Sequence, residues 1–390
     1  MKLIRRTLGL PVSPIDAIRE LFAEQRSAKA MINLSEGVPA YGPPPVITER
    51  LQQAVRNSQT ARYAPRAGLP ELRNLFAGEL SAAYAATVRE GEVLITAGCN
   101  QAFCVAVSAL AAAGDEVILP APYYFNHEMW LRLDQLTPVL LPTGDTFIPD
   151  PVAAGKLITP RTRAILLVTP GNPTGVTVPP AVIRDFAMLA IRHGIALILD
   201  ETYRNFRPTS EPAHDLYRLP KWQENVITLH SFSKEYAIPG YRVGAMVGHP
   251  DLLAEAGKLV ECMVVCAPRI GQEAAIAGLR GAREWRTRRV GEAAHRLERF
   301  RQLLADAPGG FRLRASGAFF AWVQLPGWPE PAEELVRRLA TEQAVLALPG
   351  TLFEPIDDRH LRFSVAALAD EQFDDLRARL TAFGGSRTKP

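Results

Sequence analysis

The chain has 390 residues, of which 47% are hydrophobic and 22% charged, and its formal net charge is +3. That length exceeds what one hydrophobic core usually supports, so two domains are expected. The small excess of lysine and arginine is spread along the chain, which argues against a nucleic-acid partner, and no apolar run approaches the roughly 20 residues that span a bilayer.

Lys2, Arg5 and Arg6 open the chain, but Gly9, Pro11 and Pro14 interrupt the apolar segment behind them. A secretory signal needs roughly 7 to 15 uninterrupted apolar residues, so the expectation is a cytoplasmic protein. Gly42-Pro43-Pro44-Pro45 reads as a stiff connector. Beyond it, apolar runs at 93–96, 116–119, 138–141, 163–168, 195–199, 226–230 and 243–247 read as strands, with helical stretches such as 100–113 and 180–193 between them. Nearly continuous apolar strands alternating with helices predict a mostly parallel sheet covered on both faces, an α/β domain. From Asp251 to about Asp306, Ala, Leu, Glu and Arg dominate and long helices are expected. Runs at 311–314, 318–324, 345–348 and 361–365 then read as strands of a smaller α+β unit. Cys99, Cys104, Cys262 and Cys266 lack the spacing of a metal or redox motif, which predicts free thiols and no metal site.

Ligands of an open parallel sheet bind beyond the carboxyl ends of its strands. Several polar residues fall there. Asn172 lies in Thr169-Pro170-Gly171-Asn172-Pro173-Thr174-Gly175 after one apolar run; Asp200 ends the next, with Tyr203 three positions later. Ser231 and Lys234 follow a third run, and Arg242 comes eight positions after Lys234. A lysine amine captures an aldehyde, and a hydroxyl with an arginine fork holds phosphate oxygens; together they suit pyridoxal phosphate, an aldehyde that carries a phosphate. Gly98, Cys99 and Asn100 stand between a strand and an alanine-rich helix, where backbone amides at a helix N-terminus would point at an anion.

In order and separation, Asn-Pro-Thr-Gly at 172, Asp-x-x-Tyr at 200 and Ser-x-x-Lys at 231 with Arg242 resemble the signature of the class I and II pyridoxal-phosphate aminotransferases of fold type I, over nearly the whole chain. The resemblance implies a mostly parallel seven-stranded sheet flanked by helices in a large cofactor-binding domain (44–285), and a smaller α+β domain built from 1–43 and 286–390. It implies an aminotransferase that exchanges an amino group between an L-amino acid and a 2-oxo acid by a ping-pong mechanism. Pyridoxal 5'-phosphate would be held as a Schiff base on Lys234, whose freed amine then moves the proton between substrate and cofactor. Asp200 would pair with the pyridine nitrogen, although an aspartate after a strand also serves as a helix N-cap. Asn172 and Tyr203 would hydrogen-bond the cofactor's 3' oxygen. Ser231, Arg242 and the Gly98, Cys99, Asn100 turn would hold the phosphate; Cys99 and Asn100 depart from the family's usual residues there.

By the same resemblance Tyr124 stacks on the ring, with Tyr123 as the alternative if the alignment slips by one, and His127 supports Asp200. Arg362, on the opposite face of an alternating strand from Leu361 and Phe363, matches the arginine that binds the substrate's α-carboxylate. Gly37 belongs to the N-terminal loop that closes over that group. Tyr63 resembles the tyrosine that reaches the phosphate of a neighbouring subunit, which implies a homodimer with shared active sites. Lyases, decarboxylases and oxidases of the same fold share these residues and form the first alternative. A serine hydrolase of the penicillin-binding kind is the second, because Ser231 and Lys234 also fit its Ser-x-x-Lys. Against it, the triplet Tyr203-Arg204-Asn205 precedes the serine motif and no Lys-Thr-Gly follows. Substrate side-chain specificity is expected from the loop near Tyr41, from residues around Asn126 and from the partner subunit.

Overall fold

The computed structural model describes residues 5–10, 29–209 and 211–385. Lys2, Pro11, Pro14 and most of the N-terminal arm lie outside the described residues. In chain order, β1 (Ile32–Asn33) is followed by β2 (Val93–Thr96), β3 (Glu116–Ala121), β4 (Thr137–Pro142), β5 (Thr162–Val168), β6 (Ala196–Asp200), β7 (Val226–Ser231) and β8 (Gly244–Val247).

Strands β2 to β8 form a seven-stranded sheet in the order β2-β8-β7-β6-β5-β3-β4. Strands β3 to β7 pair in parallel, and β8 runs antiparallel to both of its neighbours. Every residue of β6 is buried, because side chains of both faces meet helices. Leu197 and Leu199 pack in the core on one side, Ala196 and Ile198 in the core on the other, as the alternation of a strand requires. The helix Pro180–His193 shows how the covering layer is specified. Proline opens it at a position that needs no amide donor, Gly194 closes it in the left-handed region, and Ile183, Phe186, Ala187 and Ala190 bury one stripe.

The second unit is an antiparallel sheet in the order β12-β13-β10-β9, formed by β9 (Arg312–Gly317), β10 (Phe320–Gln324), β12 (Leu348–Pro349) and β13 (His360–Ser364). β1 pairs in parallel with β11 (Val345–Leu346) beside it. The single strand expected at 345–348 is therefore two, since β11 pairs with the N-terminal segment and β12 with β13. The helical region after Pro250 comprises Pro250–Val264, Arg269–Gly281 and Arg283–Leu304; Pro268, which lacks an amide proton, separates the first two. A further core joins Phe300, Phe311, Phe320, Leu361 and Phe363, and Tyr203 and Phe206 from the loop after β6 reach into it. The four cysteines are free, and no described helix is long and apolar enough to cross a membrane.

Candidate active site

Beyond the carboxyl ends of β5, β6 and β7 lies a cavity of about 380 Å³, walled on one side by Phe320 and Arg362 of the second sheet and by Glu36 and Gly37 of the N-terminal loop. Its volume is that of a small-ligand site. The residues the strand ends project into it explain its chemistry.

One end is built for an anion. Gly98 caps the helix Cys99–Leu110 at φ 87°, a conformation costly for residues with a side chain. A Cβ there would stand 2.2 Å from Arg242 Nη2, so glycine lets the guanidinium lie directly over the turn. Arg242 donates to Pro239 O at 3.0 Å and to Ala97 O at 3.3 Å, which fixes its fork above the first amides of the helix. Cys99, Asn100 and Ser231 line the same end.

In the middle, Asp200 is 5% exposed and its carboxylate is held on both oxygens. His127 Nε2 lies 3.4 Å from Oδ2, while Oδ1 accepts from the Thr202 amide at 2.9 Å and faces the Cys99 thiol at 3.6 Å. Burial alone would push this carboxyl up, but the His127 contact and the Thr202 donors outweigh it and hold it below the usual carboxylate range. The position thus carries a fixed negative charge. Tyr124 lines the cavity and accepts from Asn126 Nδ2 at 2.9 Å, while the neighbouring Tyr123 is buried away from it. Tyr203 stands edge-on to Phe319 and Phe320, and burial pushes its hydroxyl above its ordinary value, so it remains a donor.

Lys234 projects into the cavity with no hydrogen-bond or ion-pair partner among the described residues. Burial, with the guanidiniums of Arg362 and Arg242 nearby, pulls its amine down to about 8 against the opposing pull of the Glu36 carboxylate. At the far end Arg362 is 3% exposed; Nη1 donates to Asn172 Oδ1 at 3.1 Å and Nη2 to the Ser35 carbonyl, and Nε has no partner. Burial pulls this guanidinium down to about 10, against the opposing pull of Tyr203 and Tyr124. Gly37 faces the Phe320 ring so closely that a Cβ would stand 2.9 Å from it.

Of the residues singled out in the sequence, Gly37, Cys99, Asn100, Tyr124, Asn172, Asp200, Tyr203, Ser231, Lys234, Arg242 and Arg362 line this one cavity. Gly98 underlies Arg242 and His127 backs Asp200. Tyr63 is 77% exposed and lies outside the cavity. Sequence reasoning missed Phe320, Thr202 and Glu36 as lining residues. Thr202 was within reach, since it sits inside the Asp-x-x-Tyr motif; Phe320 reads as an ordinary core aromatic. Ser231 closes a strand and accepts from the Ser233 amide at 3.2 Å, which is not the helix-borne serine that the hydrolase alternative needs.

A helix N-terminus under a guanidinium, a buried carboxylate held anionic, an amine without a hydrogen-bond partner and a second buried guanidinium could together hold pyridoxal phosphate and an amino acid. Residues 29–380 match the family model for aminotransferases of class I and II. The chain is 30% identical to an aromatic aminotransferase of Arabidopsis thaliana over 97% of this chain and 95% of that protein. It is 28% identical to an aspartate aminotransferase of Pyrococcus horikoshii over 95% of each. A solved structure of Thermus thermophilus aspartate aminotransferase superposes with a TM-score of 0.90 at 26% identity, covering 98% of this chain and all of that one. The chain belongs to the class I and II aminotransferases. It is a transaminase of fold type I whose cofactor is pyridoxal 5'-phosphate. Nothing in these comparisons supports elimination, decarboxylation or oxidation.

Proposed function

We propose that this enzyme exchanges the amino group of an L-amino acid with a 2-oxo acid in two half-reactions at the cavity described above, with Lys234 as the covalent anchor and proton carrier. The observation that carries this reading is the placement of Lys234 in one cavity with a guanidinium fork at each end, Arg242 over a helix N-terminus and Arg362 on the second sheet.

When bound, pyridoxal phosphate supplies the electron sink that lets the α proton leave. Arg242, Ser231 and the amides of Cys99 and Asn100 would hold its phosphate, whereas the Gly98 amide is already committed to Thr96 O at 2.8 Å. Asp200, kept anionic, would hold the proton of the ring nitrogen, and His127 and Thr202 keep that carboxylate from turning. Asn172 and Tyr203 would donate to the 3' oxygen, and Tyr124 would cover the ring face. Arg362 holds the α-carboxylate of the amino acid, with Asn172 orienting the fork and Gly37 leaving room for the loop above it. That hold decides which bond of the α carbon faces Lys234. The free Lys234 amine would take the α proton in its neutral form, which its lowered proton affinity makes available near neutral pH.

The reading extends to a large domain over 44–285 and a small one from 1–43 and 286–390, the second holding Arg362. It also includes a cytoplasmic homodimer in which the exposed ring of Tyr63 reaches the phosphate of the neighbouring subunit. The relatives carry names for aromatic and aspartate substrates, and an α-carboxylate at Arg362 is common to both. The test is a panel of L-amino acids added one at a time to the holoenzyme while the cofactor absorbance is followed, with 2-oxoglutarate and pyruvate as acceptors. At least one donor should convert the cofactor to its amine form and yield the matching oxo acid; no conversion with any donor would refute the reading.

A further inference from the structure

Next to the cofactor lysine, outside the cavity, lies a buried cluster of two carboxylates and two guanidiniums. Arg286 Nη1 donates to Glu235 Oε2 and to Glu79 Oε1 at 2.9 Å each, and to the Tyr236 hydroxyl at 3.2 Å. Arg204 pairs with Glu79 and lies 4.0 Å from Glu235, and Asn205 Nδ2 donates to Glu235. None of the four charged side chains is more than 19% exposed.

The cluster ties together four separate parts of the chain. Glu235 directly follows Lys234, Arg204 directly follows Tyr203, Glu79 lies on the helix Pro70–Tyr84, and Arg286 sits in the first turn of the helix Arg283–Leu304. That last helix runs on to the second sheet. Phe300, fourteen residues beyond Arg286, meets Phe363 edge to face at 5.8 Å, and Phe363 adjoins Arg362 on β13. Fourteen helical residues span about 21 Å, so the helix is a strut between the lysine loop and the strand that carries Arg362. Net stability is a poor explanation for such a cluster, because buried ion pairs give little over well-packed apolar residues of the same size. Fixed geometry is what fork-shaped, charge-assisted contacts supply.

We propose that Glu235 and Arg286 are positioning residues that seat this strut on the lysine loop and so set the spacing between Lys234 and Arg362. The inference rests on the roles given to those two residues above. It is tested with holoenzyme of Arg286→Met, Arg286→Lys and Glu235→Gln, with Arg362→Gln alongside, by measuring cofactor absorbance, borohydride fixation, and KM and kcat for the amino donor separately. Arg286→Met and Glu235→Gln should retain fixable cofactor while the donor KM rises about 10- to 100-fold, the loss expected when a binding group shifts by about 1 Å, with kcat falling less. Arg286→Lys should recover part of the loss, and the two changes combined should cost less than their sum. Wild-type KM and kcat in Arg286→Met and Glu235→Gln, at a temperature where both are folded, would overturn the proposal even if their melting temperatures drop. Should Arg286→Met not fold, Arg286→Lys and Glu235→Gln decide by the same criterion. If Arg362→Gln leaves the donor KM unchanged, the role of Arg362 fails and this proposal with it; if only Arg362→Gln raises KM, the strut alone is refuted.

Discussion

Two neighbouring regions bury positive charge and treat it in opposite ways. In the cluster beside the lysine loop, burial would pull Arg204 and Arg286 down, but Glu79 and Glu235 hold both above the ordinary arginine range. In the cavity, burial and the guanidiniums of Arg362 and Arg242 outweigh the one opposing carboxylate, Glu36, and pull Lys234 down to about 8, while Arg362, pulled down to about 10, has no carboxylate partner among the described residues. Arg362 is met by neutral oxygens of Asn172 and Ser35. Where the fold's own carboxylates outweigh burial the charge is scaffold; where they do not, the anions still wanting are those of the ligands, a phosphate and a carboxylate.

The sharpest way to break this contrast is to remove the amine. Lys234→Ala should lower turnover by about 10²- to 10⁴-fold, the range for a lost acid–base group, and borohydride should no longer fix the cofactor to the chain. Retained fixation would place the linkage elsewhere. The compensated cluster should answer differently: Arg204→Met leaves Glu79 and Glu235 short of a partner and should cost about 3 to 5 kcal/mol in denaturant unfolding. A loss near zero would mean that solvent compensates those carboxylates. Arg362→Gln should be gentler on the fold and selective in kinetics, lowering kcat/KM for the donor by about 10- to 100-fold, as expected for charge-assisted hydrogen bonds of about 1.5 to 3 kcal/mol. An equal effect on cofactor retention would argue that Arg362 serves the phosphate instead.

The two regions were not equally legible in the sequence. Asn172, Asp200, Tyr203, Ser231 and Lys234 all stand at or just after the ends of apolar runs, positions that hydrophobic patterning marks directly, and Arg242 was legible by its spacing of eight from Lys234. The cluster has no such marker. Glu79 and Arg286 sit on helices where a charged residue reads as solvent-facing, and they meet across 207 positions only because the fold brings the start of the strut within reach of the helix Pro70–Tyr84. Glu235 next to Lys234 was the one available hint. The split of 345–348 into β11 and β12 was hidden for a related reason, since one apolar run feeds two sheets and partner choice is a property of the assembled fold. Tyr63, exposed in the single chain, was legible only through resemblance.

The smallest effect concerns stability and follows from the lowered amine. In cofactor-free protein the folded state binds a proton at Lys234 with an affinity near 8, against 10.5 for an ordinary lysine. Between these values the unfolded chain binds more protons than the folded one, so stability rises with pH across that window. Below about 8 both states are protonated and the full cost of burying the charge is present. Lys234→Met removes that cost. Because the cavity admits water, the nominal difference is discounted to about 1 to 2 kcal/mol, by which the cofactor-free variant should be more stable than the parent at pH 7. The gap should close as pH rises to 10.5, where the parent amine is neutral in both states. Urea unfolding of both proteins at a series of pH values reads this out. A gap of constant size would show that packing around the methionine, and not the uncompensated charge, accounts for it, and the contrast between the two regions would then lose its electrostatic basis.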